Sequence, residues 1–162
     1  MRPVWYTDGA CSGNGNPDAA GGWAAICVDE ETDKVLQFHV GKEIGTTNNR
    51  MEMQAIICAL KMSAENTDHL LIIKSDSAYA VNTFNSWMYN WANNGWIKSD
   101  KKIPENLDLV KEFYNFVMDN QIHFDLQKVK GHSKSKWNYY ADGLATGRIS
   151  YKQYKQMENL NG

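Results

Sequence analysis

The chain has 162 residues, 43% hydrophobic and 22% charged, a composition that suits one folded domain with a sizeable core and speaks against disorder. No apolar run approaches the length of a membrane span, and the start M-R-P-V-W lacks the apolar centre of a signal peptide. The net charge is only −2, and the three cysteines (Cys11, Cys27, Cys58) lie far apart with no C-x-x-C pair, which argues against a disulfide framework or a zinc site and fits a cytoplasmic location.

With no repeat or linker, residues 1–162 read as one domain. Residues 3–8 (P-V-W-Y-T-D), 22–29 (G-W-A-A-I-C-V-D) and 34–44 (K-V-L-Q-F-H-V-G-K-E-I) have strand character and short turn-rich links, predicting an antiparallel meander. Residues 49–64 carry apolar residues at helical spacing after the cap-like T-T-N-N, and 69–75 (H-L-L-I-I-K-S) is a continuous apolar run that marks a central strand. Helices are predicted over 77–92 and 106–119, a fifth strand over 122–129, and a last helix from about Asn138 to Leu160. This order predicts an α/β fold: a five-stranded mixed sheet, three antiparallel strands followed by parallel ones, flanked by helices. Ligands of such sheets gather at the carboxyl ends of the parallel strands.

Acids are expected at that end. Asp8 closes the first predicted strand and Asp76 follows the fourth, so parallel pairing would bring them side by side. Each alone reads equally as a turn or helix-cap residue. Glu52 does not. It shares a helical stripe with Ala55, Ile56, Ala59 and Leu60, and a charge entering the core face costs several kcal/mol, on the order of ~3–5, unless paired or metal-bound. The helix N-terminus recovers at most ~1–2 kcal/mol of that, so a positive group is expected nearby. Asp142, in the first turns of the last helix, supplies a fourth acid. Four carboxylates converging on one point repel without cations, and all-oxygen ligands favour a hard ion such as magnesium. Two such ions about 4 Å apart clamp the attacking and leaving oxygens of a phosphoryl transfer, which predicts phosphodiester hydrolysis. The reading requires that the four oxygens meet and that none be locked to an arginine.

Dinucleotide and P-loop fingerprints are absent, since the loop 13–18 reads G-N-G-N-P-D. His132 stands in a lysine, glycine and serine loop ten residues before Asp142, where proton transfer or help with product release would suit it. That loop belongs to a run from Lys128 to Lys136 with four lysines and no acid, and a second basic cluster (Lys98, Lys101, Lys102) follows a tryptophan-rich stretch. Either alone is an ordinary solvated face. Beside aromatic residues they point to a polyanion.

The stretches Y-T-D-G-A-C-S-G-N, T-T-N-N-R-M-E-M-Q-A, S-D-S-A-Y-A-V, W-M-Y-N-W-A-N-N-G-W-I-K-S-D-K-K and V-K-G-H-S-K-S-K-W-N-Y-Y-A-D-G-L-A, in this order from about residue 4 to 150, closely resemble type 1 ribonuclease H of the bacterial kind. The resemblance implies a ribonuclease H-like fold and a metal-dependent endonuclease that cuts the RNA strand of RNA–DNA hybrids, leaving 5′-phosphate and 3′-hydroxyl ends. It implies that Asp8, Glu52, Asp76 and Asp142 hold two magnesium ions, with manganese as the alternative, and that His132 is the family's loop histidine. Telling RNA from DNA means reading 2′-hydroxyls in a wide minor groove. Gly9, Cys11, Asn14 and Asn16 offer small polar contacts for this, and Asn48 and Asn49 resemble the family's groove-reading asparagines. Thr47 resembles a DNA-phosphate contact, and Trp87, Trp91 and Trp96 with Lys98, Lys101 and Lys102 a basic protrusion that grips the DNA strand.

Three departures stand out. Ala92-Asn93-Asn94 replaces a usually basic stretch, Ala78 replaces a longer polar residue, and the first loop is two residues longer, which leaves Asn14 against Asn16 open. Lys134 and Lys136 are expected to restore some positive charge near the substrate. The chain is expected to act as a monomer, away from membranes. The alternatives are a nuclease of the same fold acting on DNA, and a hybrid-binding module without activity.

Overall fold

Three long strands, β1 (Pro3–Ser12), β2 (Ala20–Asp29) and β3 (Lys34–Ile44), form an antiparallel meander in the computed structural model, which describes residues 1–64, 70–130, 136–148 and 150. β1 and β2 pair over ten consecutive residues, from Pro3–Asp29 to Ser12–Ala20. The other edge of β1 pairs in parallel with β4 (Leu71–Ser75) only at Trp5–Ile73 and Tyr6–Lys74, and β4 pairs in parallel with β5 (Phe124–Lys128). The strand order is β3-β2-β1-β4-β5, the five-stranded mixed sheet expected.

Period-two alternation sends neighbouring side chains to opposite faces. Trp5, Ile73 and Leu126 meet α1 (Asn48–Ser63) and α4 (Leu107–Asp119) on one face, where Ile56, Leu60, Phe84 and Phe113 complete the core. Val4, Tyr6, Ile26 and Val28 meet Trp137, Tyr140 and Leu144 on the other. Between β4 and α4 the chain forms α2 (Ala78–Asn82), a π turn (Thr83–Trp87) and α3 (Met88–Asn93), an irregular version of the one helix expected over 77–92.

Two expectations change here. β1 continues four residues past Asp8, because the turn-rich Gly9–Ser12 finds ladder partners on β2, so Gly9 and Cys11 are strand residues and not loop residues. The last helix, α5, runs from Lys136 to Thr146. Gly147 ends it in the left-handed region (φ 77°), and its N–H donates to the Leu144 carbonyl at 3.3 Å. The remainder expected up to Leu160 falls, for residue 149 and residues 151–162, outside the described residues, as do His132 and Lys134. Lys136 is a helix residue whose ammonium pairs with Asp33 at 2.9 Å, not a loop charge.

Candidate active site

Past Tyr6, β1 outruns its parallel partner, so Asp8 emerges at the carboxyl end of the parallel pair while still laddered to Ala24 on β2. The Thr7 hydroxyl donates to the Lys74 carbonyl at 2.9 Å and ties β1 to β4 at this point. The residue after Asp8 has to be glycine. A β-carbon at position 9 would collide with the carbonyl carbon of Met51 and the amide nitrogen of Glu52, so only a bare backbone lets α1 lie this close to β1. Thr47 starts α1 as an N-cap, its hydroxyl accepting from Arg50 N–H at 3.2 Å, and one turn later Glu52 reaches the same end of the sheet. Asp76 follows β4. The helix-cap role there belongs to Ser77, whose hydroxyl accepts from Ala80 N–H at 3.1 Å, which leaves the Asp76 carboxylate for other work.

Carboxylate oxygens of Asp8, Glu52 and Asp76 lie within 4.8 Å of one another. Asp8 is 8% and Glu52 9% exposed. Burial first, then the Asp76 charge, pushes Asp8 well above the usual carboxylate range, although Gly9 N–H donates to its Oδ1 at 2.9 Å. Burial and the charges of Asp8 and Asp76 push Glu52 up further, and its Oε2 is buried with no hydrogen-bond partner among the described residues. The positive neighbour that a buried Glu52 calls for is not supplied by Arg50, which pairs through both terminal nitrogens with Asp108 at 3.0 and 2.7 Å. An all-oxygen donor set, mutual repulsion and an orphaned buried oxygen are what a hard divalent cation would relieve.

Asp142 joins the acids through Asp8, with which it shares a side-chain hydrogen bond. It is close enough to Asp8 to raise that residue further, yet it stands outside the cluster of three. Its Oδ2 also accepts from Nη2 of Arg148 at 3.2 Å. The pair is half-exposed, 49% for Arg148 and 39% for Asp142, where such contacts are worth ~0–1 kcal/mol, so it is a contact and not a lock. A cavity of about 270 Å³ runs between the acids, lined by Thr7, Asp8, Asp76, Lys130, Asn138, Tyr139, Asp142 and Arg148. Sequence reasoning counted Lys130 in the basic run but missed Asn138, Tyr139 and Arg148. A helix extended to Leu160 puts residues 142 and 148 on different faces, whereas Gly147, the signal that was there to read, folds 148 back.

The expected groove readers separate into two groups. Cys11 N–H donates to Asn48 Oδ1 at 2.6 Å, and Asn48 N–H donates to Asn14 Oδ1 at 2.8 Å, so these three form one polar strip that continues into the exposed Asn49. Asn16 instead closes a turn, its N–H donating to the Gly13 carbonyl at 3.0 Å. Trp87, 40% exposed, stands edge-on to Tyr79 at 6.3 Å in the π turn, while Trp91 and Trp96 pack against the core. Lys101 and Lys102 are exposed in a turn closed by Lys98 N–H to Lys102 O and Lys101 N–H to Lys98 O, each 2.9 Å.

The family model for RNase H matches residues 2–150. The chain belongs to the ribonuclease H family. A "Ribonuclease H" of Thermoanaerobacter sp. is 43% identical over 145 residues, 89% of this chain and 87% of that protein. Among solved structures, LC9-RNase H1, described as a type 1 RNase H with the type 2 active-site motif, is 28% identical with a TM-score of 0.74, covering 90% of this chain and 70% of that one. LC11-RNase H1 in complex with RNA/DNA hybrid, 21% identical with a TM-score of 0.66 over 90% of this chain and 95% of that one, shares the fold. Ribonucleases H depend on divalent metal, and the Asp8–Glu52–Asp76 cluster is chemically suited to it. Among the described residues no helix is long and apolar enough to cross a membrane.

Proposed function

We propose that this ribonuclease H cuts the RNA strand of RNA–DNA hybrids as a monomeric, single-domain, cytoplasmic endonuclease, using two magnesium ions and leaving 5′-phosphate and 3′-hydroxyl ends. The observation that carries the proposal is the convergence of Asp8, Glu52 and Asp76, two of them buried, within 4.8 Å of one another beside an open cavity. The family's curated relatives support the activity, and the three free cysteines support a reducing compartment.

Asp8 on β1, Glu52 on α1 and Asp76 just past β4 would hold the metal, and Asp142 on α5 would complete the set. Divalent ions bound there supply an activated water and charge compensation for the departing oxygen. The protein's part is placement. Cys11, Asn14, Asn48 and Asn49 present neutral donors and acceptors along one strip, as the reading of 2′-hydroxyls across a shallow minor groove requires, whereas buried Gly9 serves by letting α1 lie against β1. Thr47 uses its hydroxyl lone pair as a cap and keeps its O–H for a phosphate. Trp87 with Lys101 and Lys102 offers the stacking face and charge for the DNA strand. For His132 the support is the family resemblance alone, and Asn16 acts by shaping the turn that presents Asn14.

The test is cleavage of matched RNA–DNA, DNA–DNA and RNA–RNA duplexes with magnesium, with manganese and with chelator. Cutting confined to the RNA strand of the hybrid, and lost on chelation, is expected. Equal cutting of the DNA duplex would overturn the substrate, and hybrid binding without cutting would overturn the activity.

A further inference from the structure

Among the described residues, Asp142 is the one acid of the expected set in a salt bridge, and the partner is held by more than its charge. Gly147 breaks α5 with φ 77°, and the chain doubles back so that Arg148 reaches Asp142. On an unbroken helix, residues six apart stand about 120° apart around the axis and would not meet. The Arg148 guanidinium lies over the Tyr139 ring at 4.6 Å. The Arg148 backbone N–H donates to Thr146 Oγ1 at 3.4 Å, and that hydroxyl donates in turn to the Asp142 backbone carbonyl at 2.9 Å. Tyr139, Asp142 and Arg148 all line the cavity beside Asp8 and Asp76.

We infer that Arg148 is a positioning residue for Asp142: it holds this carboxylate to one side of the Asp8–Glu52–Asp76 cluster, so that a divalent ion recruits Asp142 only by displacing the guanidinium. The inference rests on the metal-dependent reading above. Arginine keeps its charge at any working pH, so the contact is undone by competition and not by titration. The pair is half-exposed and therefore weak, which makes displacement feasible and bounds its effect at roughly two- to fivefold in an equilibrium constant. Tyr139 keeps the displaced guanidinium at the cavity wall, ready to return when the ion leaves.

The experiment is calorimetric titration of Mg2+ into the full chain, without nucleic acid, for the wild type, Arg148→Ala, Arg148→Lys and Asp142→Asn, with the doubly substituted chain to close the cycle. Arg148→Ala is expected to tighten, by about two- to fivefold, the binding step that Asp142→Asn weakens, with Arg148→Lys close to the wild type. In the Asp142→Asn background, Arg148→Ala should change nothing. The half-saturating Mg2+ concentration for hybrid cleavage should fall by the same factor at unchanged hybrid KM. An isotherm that neither Arg148→Ala nor Asp142→Asn moves overturns the inference. So does an unchanged isotherm with a raised hybrid KM and a shallower salt dependence, which would make Arg148 a phosphate contact. If the wild type binds Mg2+ and cuts hybrid while Arg148→Ala binds Mg2+ as it does, only the inference falls. If the wild type binds no Mg2+, the metal-dependent reading falls with it.

Discussion

Arg50 and Glu52 stand two residues apart on α1 and occupy opposite electrostatic surroundings. Arg50 reaches across to α4, where it grips Asp108 with two hydrogen bonds and takes a third contact from Asn106 at 3.3 Å. That partnership holds the Asp108 carboxyl below its ordinary value. Glu52, nearly sealed from water, faces the carboxylates of Asp8 and Asp76, with the Gly9 backbone N–H against it, and its protonation is favoured. The fold had a cation within two residues and placed it elsewhere. A charge that serves cohesion is paired near the surface. A charge that serves a ligand is left uncompensated where pairing is most needed, and the ligand must supply what the protein withholds.

The comparison breaks first at the metal cluster. Asp76→Asn should lower hybrid cleavage at least ~100-fold while the chain still folds, as activity assays and circular dichroism would show together. Gly9→Ala comes next. Its methyl has no room against the Met51–Glu52 backbone, so melting should show a loss of about 2–4 kcal/mol, and the displaced α1 should take cleavage with it.

Glu52→Gln should abolish activity and yet stabilise the metal-free protein at neutral pH by about 1–3 kcal/mol, because folding then no longer has to protonate a carboxylate that the unfolded chain leaves ionised. The wild type carries the same signature in its pH dependence. With folded-state values for Asp8 and Glu52 raised above the ordinary 3.8 and 4.5, the folded chain keeps protons that the unfolded chain releases. Their contribution to stability is therefore complete below about pH 4 and is lost as pH rises through the raised folded values. Melting in chelator should show that decline from mildly acid to alkaline pH, and saturating Mg2+ should flatten it. The smallest effect belongs to the paired region: Asp108→Asn, at a largely exposed contact, should cost at most about 1 kcal/mol and leave hybrid cleavage unchanged.

The parts of this molecule that a linear reading reaches are those where local pattern and tertiary need agree. β3 runs over the predicted residues, Thr47 caps α1 where T-T-N-N suggested, and Glu52 is where a misplaced charge on an apolar stripe said it would be. β1 was cut short because glycine and serine signal a turn, whereas the ten-residue ladder with β2 overrides local preference. Asn14 against Asn16 was open because only the fold decides which side chain meets Asn48. Lys136 looked like a loop charge because its partner, Asp33, is more than a hundred residues away. Asp142 joins the other acids in a linear reading through its chemistry and the family resemblance. Its arginine became visible only when the left-handed Gly147 turned the chain back.

The most direct test is the anomalous scattering of a crystal soaked in Mn2+ without nucleic acid. The account predicts a peak coordinated by oxygens of Asp8, Glu52 and Asp76, with the Glu52 Oε2 no longer unpartnered. A well-soaked crystal with no peak among these three side chains, or with a lysine or arginine filling the space instead, would contradict it.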